Sequence, residues 1–181
     1  MIYELKNCRN GDAAPYKTTV DISENNGRLR FYFVCEHTEY YCPYTEYNKI
    51  HSEGDACEVL IGTDPKRKVY YEMEVSAKGG LMLAEMVHHG FDENGNPIID
   101  TNLIPNCFFD GKSEKTENGY TAEFIFDKKH IMTHGDRIYF NAYRLETDGG
   151  EMDKHLFALS PTMMPKFHAP SYFLWLDNYL K

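Results

Sequence analysis

Hydrophobic and polar residues alternate with a period of two along several short segments, as expected for strands that bury one face. Between residues 29 and 35, Leu29, Phe31 and Phe33 share one face, and Arg30 and Tyr32 share the other. The same alternation predicts strands over residues 69–75, 120–126 and 138–143, with shorter candidates at 59–61, 81–87, 156–160 and 173–176. The chain is therefore predicted to be rich in β-strands.

Residue pairs that favour tight turns separate these segments. They are Asn26-Gly27, Asp64-Pro65, Gly79-Gly80, Asn94-Gly95, Asn118-Gly119 and Gly149-Gly150. The pair at 118–119 directly precedes a predicted strand, which indicates a hairpin. Helical periodicity is confined to one or two turns near residues 127–132, where the Asp127 carboxylate can cap the first turn. Residues 88–118 form the longest irregular stretch and are predicted to be a large loop or an inserted hairpin.

Many short strands joined by regular turns, with almost no helix, predict a β-sandwich or barrel. The length of 181 residues, without an internal repeat or a low-complexity linker, predicts a single domain over residues 1–181. Aromatic residues make up 14% of the chain, with 14 Tyr and 11 Phe. Such residues fit half-buried sheet surfaces and leave rings that can stack on flat ligands.

The formal net charge of -9 repels phosphate backbones and anionic lipids. We therefore expect neither nucleic acid nor a membrane as a partner, and no apolar run approaches the roughly 20 residues of a membrane span. Five cysteines without CxxC spacing predict buried free thiols in a reducing compartment. The N-terminus lacks the basic and apolar regions of a secretory signal. Together these features predict a cytoplasmic protein, unless a leader was removed.

Sequence signatures of catalysis and metal binding are absent: the chain has no GxSxG, P-loop or HExxH motif. Residues 92–100 resemble a calcium loop, but Pro97 and Leu103 stand where an EF-hand needs Gly and Glu, so a polar turn is favoured. His88 and His89 have no third metal ligand at a useful spacing. We therefore expect no metal, no cofactor and no catalysis. Because acidic residues are abundant, a pair of catalytic carboxylates of the glycosidase kind stays an open alternative.

Three segments of the chain carry motifs in a recognisable order. In the first, Asp55 and Glu58 open a predicted strand. The second is Tyr-Tyr-Glu-Met-Glu-Val at 70–75, followed by Gly-Gly-Leu at 79–81. The third combines Phe-Asn-Ala-Tyr-Arg at 140–144, Leu-Ser-Pro at 159–161 and Pro-Lys-Phe-His-Ala-Pro-Ser-Tyr-Phe at 165–173. This order resembles the family 9-like carbohydrate-binding modules over most of the chain. The resemblance implies an all-β, antiparallel sandwich of the immunoglobulin or jelly-roll kind that binds sugar.

The resemblance also implies roles for individual residues. Family members attached to xylanases clamp a sugar between two aromatic rings, and Phe167 falls on one clamp position, where those members have Trp. The other clamp position falls near Ser52, so that ring is missing, and Tyr44, Tyr47 or His51 could replace it from the same loop. No structural metal is carried over, because the N-terminal acidic segment of those modules is absent.

The polar positions of the family fall on neighbouring predicted strands. Glu58 matches a polar ligand-binding position, and Tyr143 lies near another. Strand parity places Glu58, Glu72 and Glu74 away from the predicted core side, together with alternate residues of a further strand, which are Tyr139, Asn141 and Tyr143. If these strands are neighbours, they form one polar face rich in tyrosine. That face is the predicted binding surface, with an inert solvated surface as the alternative.

The predicted carbohydrate-binding residues are Glu58, Glu74, Asn141, Tyr143, Arg144, Phe167, His168 and Tyr44. The predicted ligand is a small sugar or the end of an oligosaccharide. Structural roles remain open for three of them: a salt bridge from Glu58 to Arg144 or Arg137, a core position for Phe167 and a hydrogen-bonded structural role for His168.

Two other functions stay open. DOMON-like sandwiches related to this fold hold haem, for which the candidate ligands are Met86, His88, Met132, Met163 and Met164. An uncharacterised glycan-processing enzyme, or a domain that binds protein or another small molecule, is the third possibility.

Overall fold

A computed structural model of the chain describes residues 1–49, 54–147 and 155–180. The described part consists of short strands joined by turns. The strands are β1 (Ile2–Glu4), β2 (Lys6–Asn7), β3 (Thr18–Asn25), β4 (Arg28–Glu36), β5 (Ala56–Gly62), β6 (Val69–Ser76), β7 (Leu81–Phe91), β8 (Pro97–Leu103), β9 (Asp110–Thr116), β10 (Gly119–Asp127), β11 (Tyr139–Glu146), β12 (His155–Ala158) and β13 (Leu174–Trp175). Short 3-10 turns lie at Lys128–His130, Pro170–Tyr172 and Leu176–Asn178.

The described strands form two sheets. The smaller sheet has the order β1-β3-β4-β10-β9, and the larger sheet has the order β2-β12-β11-β5-β6-β7-β8, with β13 paired to β11. All the pairings between described strands are antiparallel. The structure therefore confirms the predicted all-β antiparallel sandwich.

The predicted apolar faces meet between the two sheets. Phe31 of β4 and Phe124 of β10 are fully buried and stand opposite each other in the register. Phe140 of β11, in the larger sheet, packs on Phe31 with ring centroids 5.6 Å apart. Full burial of one such side chain contributes about 2–3 kcal/mol to folding. Alternation in β4, β10 and β11 therefore builds the core that joins the sheets.

The outer face of the larger sheet is covered, which differs from the open polar face that strand parity predicts. Every residue of β5 and β11 is buried. Residues 159–173, here called the covering segment, account for much of this. Its Phe167 stacks on Tyr143, and its Phe173 packs edge-on against Tyr70. The predicted binding surface is therefore partly enclosed.

Residues 88–118 form strands over most of their length, so the predicted large loop is replaced by its alternative, a hairpin. β7 continues to Phe91 and pairs with β8, and β9 pairs with β10. The hairpin predicted at Asn118-Gly119 joins β9 to β10, with Asn118 in the turn and Gly119 as the first residue of β10. The Asp127 carboxylate accepts a hydrogen bond from the Lys129 backbone and caps a 3-10 turn, as the sequence also predicted.

All five cysteines carry free thiols, in agreement with the sequence. Four are buried, and Cys107 is partly buried. Cys35 and Cys57 meet across the sandwich, with their Sγ atoms 3.4 Å apart. The described part of the chain contains no helix long and apolar enough to cross a bilayer.

A buried ionic cluster joins the two sheets. Arg144 of β11 is fully buried and pairs with the equally buried Glu146. Its guanidinium also donates to Thr18 Oγ1 and to the Glu36 carbonyl, both at 2.9 Å. The other side of the Glu146 carboxylate lies 3.1 Å from His37 Nδ1. Arg144 therefore faces the smaller sheet, because even-numbered residues of β11 point into the sandwich.

The Asp55 carboxylate ties the chain before β5 to the end of β11. It accepts hydrogen bonds from the backbone N–H and the hydroxyl of Thr147, both at 2.7 Å, and from the Tyr41 backbone at 2.6 Å. Burial, together with the charge of Glu146, raises the pKa of Asp55 to about 6, against 3.8 for an ordinary Asp. The folded chain therefore binds this proton more tightly than the unfolded chain does.

This raised pKa predicts a loss of stability as the pH rises. The contribution of Asp55 is fully present below about pH 4 and is lost as the pH passes through about 6, because the unfolded chain releases the proton first. A difference of roughly two pKa units corresponds to about 3 kcal/mol. Urea unfolding at pH 4.5 and pH 7 should show Asp55→Asn losing less stability over this interval than the unaltered protein. Equal losses in the two proteins would contradict the assignment.

Candidate functional site

A cavity of about 290 Å³ opens between the larger sheet and the covering segment. Its volume is near the lower end of small-molecule sites, which run from about 300 to 1,000 Å³. Its lining combines acidic groups with apolar surface and one aromatic ring. The lining residues are Glu58, Glu72, Glu74, Pro97, Leu145, Leu156, Pro165, Lys166, Phe167 and His168. The cavity therefore suits a small ligand that presents both polar and apolar surface.

Three glutamates, here called the carboxylate floor, come from two adjacent strands. Glu58 of β5 stands directly opposite Glu74 of β6 in the register, and Glu72 lies two residues from Glu74 on the same face. One carboxylate oxygen from each of the three lies within 4.8 Å of the others. The parity of the two strands thus brings together the acidic residues that the sequence placed on one face.

The three side chains of the carboxylate floor are almost completely buried. Glu58 and Glu74 are each 4% exposed, and Glu72 is 6% exposed. Within the described part of the chain, Glu74 Oε2 is buried without a hydrogen-bond partner. Burial, together with the negative charge of Glu72, raises the pKa of Glu74 well above its ordinary value. Burial at the floor therefore favours the protonated form of Glu74, and a ligand that supplies positive charge or a hydrogen-bond donor would stabilise its charged form.

The aromatic wall of the cavity is a stack of two rings. Phe167 lies over Tyr143 with centroids 4.3 Å apart and planes tilted by 24°. The Tyr143 hydroxyl donates to the Phe167 carbonyl at 2.9 Å, which fixes the height of the ring above the sheet. Tyr143 is fully buried, so Phe167 is the ring that borders the cavity.

Asn141 anchors the start of the covering segment. Its side-chain amide donates to the Ser160 carbonyl at 2.8 Å and accepts from the Ser160 backbone at 3.0 Å. The same amide donates to the Tyr143 hydroxyl at 2.8 Å. Asn141 and Tyr143 therefore lie beneath the cavity wall and position Phe167.

His168 bridges the covering segment to β6. Its Nδ1 is 3.0 Å from the Tyr70 hydroxyl, and its Nε2 is 3.3 Å from Glu72 Oε1. The imidazole is 22% exposed at the edge of the cavity. This geometry holds one member of the carboxylate floor in place while leaving part of the imidazole accessible.

The structure brings some of the predicted residues together and separates others. Those that share the cavity lining are Glu58, Glu74, Phe167 and His168. Arg144 points to the opposite side of β11, and Tyr44, which is 43% exposed, borders a separate small hollow beside Cys42. The salt-bridge alternative for Glu58 does not involve Arg144, because the two side chains leave the sheet on opposite faces.

The second aromatic ring of a sugar clamp is not supplied by the described candidates. Tyr47 donates its hydroxyl to the Ile104 carbonyl at 2.7 Å and does not line the cavity. Tyr44 borders the separate hollow. The positions of Ser52 and His51 lie outside the described residues. Among described side chains, Phe167 is the aromatic ring of the cavity lining.

Several lining residues are missing from the predicted set. Glu72 lies on the same face of its strand as Glu74, so strand parity could have added Glu72 to the predicted binding residues. Lys166 donates its ammonium to the Gly95 carbonyl at 2.7 Å and to Asn96 Oδ1 at 2.6 Å, which ties the covering segment to the turn between β7 and β8. No local sequence pattern predicts this contact, because Lys166 and its partners lie about seventy residues apart.

The candidate haem ligands do not line this cavity. Met86 and His88 are buried in β7, whereas Met132 and Met163 are exposed on turns. A further hollow of about 330 Å³ lies on the smaller sheet, between Ser23 and Ile125. It has neither an aromatic ring nor a carboxylate in its described lining, so the cavity above the carboxylate floor is the better candidate for a specific ligand.

Comparison with known proteins places the fold. No protein-family model matches the sequence, and no curated protein matches it. Among solved structures, a candidate carbohydrate-binding protein from Bacteroides uniformis superposes with a TM-score of 0.73 at 13% identity, covering 96% of this chain and 84% of that one.

Two structures of a family 9 carbohydrate-binding module from Caldicellulosiruptor kristjanssonii are also similar. The complex with cellotriose has a TM-score of 0.65 at 10% identity and covers 100% of this chain and 81% of that one. The complex with glucose has a TM-score of 0.60 at 13% identity and covers 99% of this chain and 83% of that one. The chain therefore has the fold of the family 9 carbohydrate-binding modules.

Proposed function

We propose that the chain is a non-catalytic domain that binds a small sugar, or the end of an oligosaccharide, in the cavity above the carboxylate floor. The observation that carries the proposal is the placement of an aromatic ring, Phe167, beside fixed carboxylates in one cavity. Solved structures with the same fold include modules bound to glucose and to cellotriose, which supports the same class of ligand here.

The lining matches the two kinds of surface on a sugar. The C–H face of a pyranose is apolar and packs on aromatic rings, which offer large contact area at low entropic cost. Sugar hydroxyls donate hydrogen bonds, and carboxylates are acceptors with several lone pairs. Phe167 and Leu156 supply the apolar contact, while Glu58 and Glu74 supply the acceptors.

The arrangement of the carboxylates favours binding over hydrolysis. A glycosidase places its two carboxyl groups on opposite sides of the scissile bond, about 5–5.5 Å or about 6.5–9.5 Å apart. Here all three glutamates rise from adjacent positions of one sheet, with an oxygen of each within 4.8 Å of the others. They form one surface and do not face each other across a substrate.

Calorimetric titration with glucose, cellobiose, cellotriose and other mono- and oligosaccharides tests the proposal. We expect at least one saccharide to bind, and Glu58→Gln to weaken it by about 10- to 100-fold, the value of a hydrogen bond to a charged group. Glu114→Gln is the matched control, because Glu114 is 69% exposed on the smaller sheet. Aryl-glycosides should show no turnover.

Two outcomes would contradict this function. The first is the absence of binding across the saccharide panel by a folded protein. The second is equal affinity in Glu58→Gln and Glu114→Gln, which would place the sugar outside the cavity.

A further inference from the structure

We propose that the carboxylate floor is a binding site for a divalent cation, and that Ca²⁺ is the ion it takes. Glu58, Glu72 and Glu74 direct three carboxylates into one cavity, with an oxygen of each within 4.8 Å of the others. The site lies on the outer face of the larger sheet, formed by adjacent strands. It does not require that the cavity also takes a sugar.

The spacing of the oxygens fits calcium. Calcium–oxygen distances run from about 2.3 to 2.6 Å, so two ligands on opposite sides of one ion are about 4.8 Å apart. Three oxygens can share one such ion when they lie up to about 4.5 Å from one another. An oxygen of each glutamate lies within 4.8 Å of the others, so at most a small side-chain adjustment brings the three onto one ion. Magnesium needs shorter distances of about 2.0–2.1 Å in a near-ideal octahedron, and zinc favours nitrogen and sulfur ligands. An all-carboxylate set fixed on two strands suits calcium best.

An unpartnered atom points independently to a ligand. Glu74 is 4% exposed, and its Oε2 has no hydrogen-bond partner within the described part of the chain. A buried acceptor without a partner costs about 1–3 kcal/mol, and more when it is charged. A cation in the cavity supplies the missing partner of the Glu74 carboxylate.

Neither basic residue of the described lining pairs with Glu74 Oε2. The Lys166 ammonium is bound to Gly95 and Asn96 at the turn beyond β7. His168 Nε2 lies near one oxygen of Glu72. Calcium takes six to eight oxygens, more than three carboxylates supply in monodentate contact. The cavity of about 290 Å³ leaves room for water or ligand hydroxyls to complete the coordination.

The test is direct titration of CaCl₂ into full-length protein stripped with EDTA, followed by calorimetry and thermal unfolding. We expect one bound ion per chain and a raised midpoint of unfolding. Terbium, which replaces calcium in such sites, should show emission sensitised by nearby tyrosines. Glu74→Gln and Glu72→Gln should each weaken calcium binding at least about tenfold, because affinity follows the number of charged ligands. Glu114→Gln should bind calcium as the unaltered protein does.

Several results would overturn the metal site. One is the absence of heat and of a thermal shift up to about 10 mM CaCl₂, beyond the range of the weakest calcium modules. Another is unchanged affinity in a folded Glu72→Gln/Glu74→Gln double variant. A third is stabilisation by glucosamine but not by Ca²⁺, which would assign the floor to an ammonium group.

Sugar and metal binding fail separately. Saccharide binding in EDTA together with no calcium binding would leave the proposed function standing and remove the ion. Calcium binding without any saccharide binding, measured with Ca²⁺ present, would leave the metal site standing and remove the proposed sugar-binding function.

Discussion

Arg144→Met is expected to lower the free energy of unfolding by about 3–5 kcal/mol, because it leaves the buried carboxylate of Glu146 without its main counter-charge. Both side chains of this pair are fully buried between the sheets. The substitution also removes the hydrogen bonds to Thr18 and Glu36. Urea denaturation followed by circular dichroism measures the loss. A loss under about 1 kcal/mol would show that the pair is not a buried element of the fold.

Arg30→Met is the matched control for this substitution. Arg30 pairs with Glu123 at 2.6 Å, but its side chain is 36% exposed, so its removal should cost at most about 1 kcal/mol. A second variant, Arg144→Met/Glu146→Leu, should recover much of the lost stability, since apolar residues often replace a buried ion pair without loss. Saccharide affinity of folded Arg144→Met should be unchanged, which tests the predicted sugar-binding role of Arg144 against its interior position.

Phe167→Ala is expected to lower both stability and ligand affinity. Phe167 is 8% exposed and stacks on Tyr143, so removing the ring should cost about 3 kcal/mol of unfolding free energy. The same ring borders the cavity, and saccharide affinity should fall at least about tenfold when it is lost. The buried stack with Tyr143 is the reason to expect both losses.

Phe173→Ala separates the two effects. Phe173 is similarly buried and packs on Tyr70 with centroids 5.2 Å apart, but it does not line the cavity. It should lose comparable stability and keep saccharide affinity within about twofold, with both titrations made well below the unfolding midpoints. Equal losses of affinity in the two variants would mean that Phe167 acts only by holding the covering segment in place.

The calcium proposal changes how these titrations are designed. If the floor holds an ion, saccharide affinity measured in EDTA and in CaCl₂ will differ, and the variants of Glu72 and Glu74 will act through the metal. Glu58 lines the same cavity, so either the ion or the sugar can contact it. Comparing Glu58→Gln with and without calcium separates them.

Strand parity predicted the core well, because alternation in β4, β10 and β11 depends only on which side chains are apolar. Phe31, Phe33 and Phe124 are buried as that alternation requires. The weaker alternation after residue 88 hid β8 and β9, whose residues are mostly exposed or partly exposed. Such strands are specified by pairing with β7 and β10, and a single segment does not carry that information.

The sequence predicted the features of the candidate site that depend on strand parity. It did not predict the features that depend on packing between distant segments. Glu58 and Glu74 share a face because each strand alternates, and they meet because β5 pairs with β6. Tyr143 obeys the same parity but is buried, because Phe167 lies on it. Parity also shows that Arg144, the neighbour of Tyr143, belongs to the inner face.

By itself, the amino-acid sequence determined the strand-rich character of the chain, the turns, the apolar faces and the acidic face of β6, because these follow from local side-chain order. Only the tertiary structure decided that three glutamates form one buried floor, that the covering segment lies over it, and that Arg144 bonds to Thr18 and Glu36 of the smaller sheet. These features depend on which strands become neighbours and on a segment that returns over the sheet about twenty residues later. Their contacts join positions far apart in the chain, and local order does not encode them.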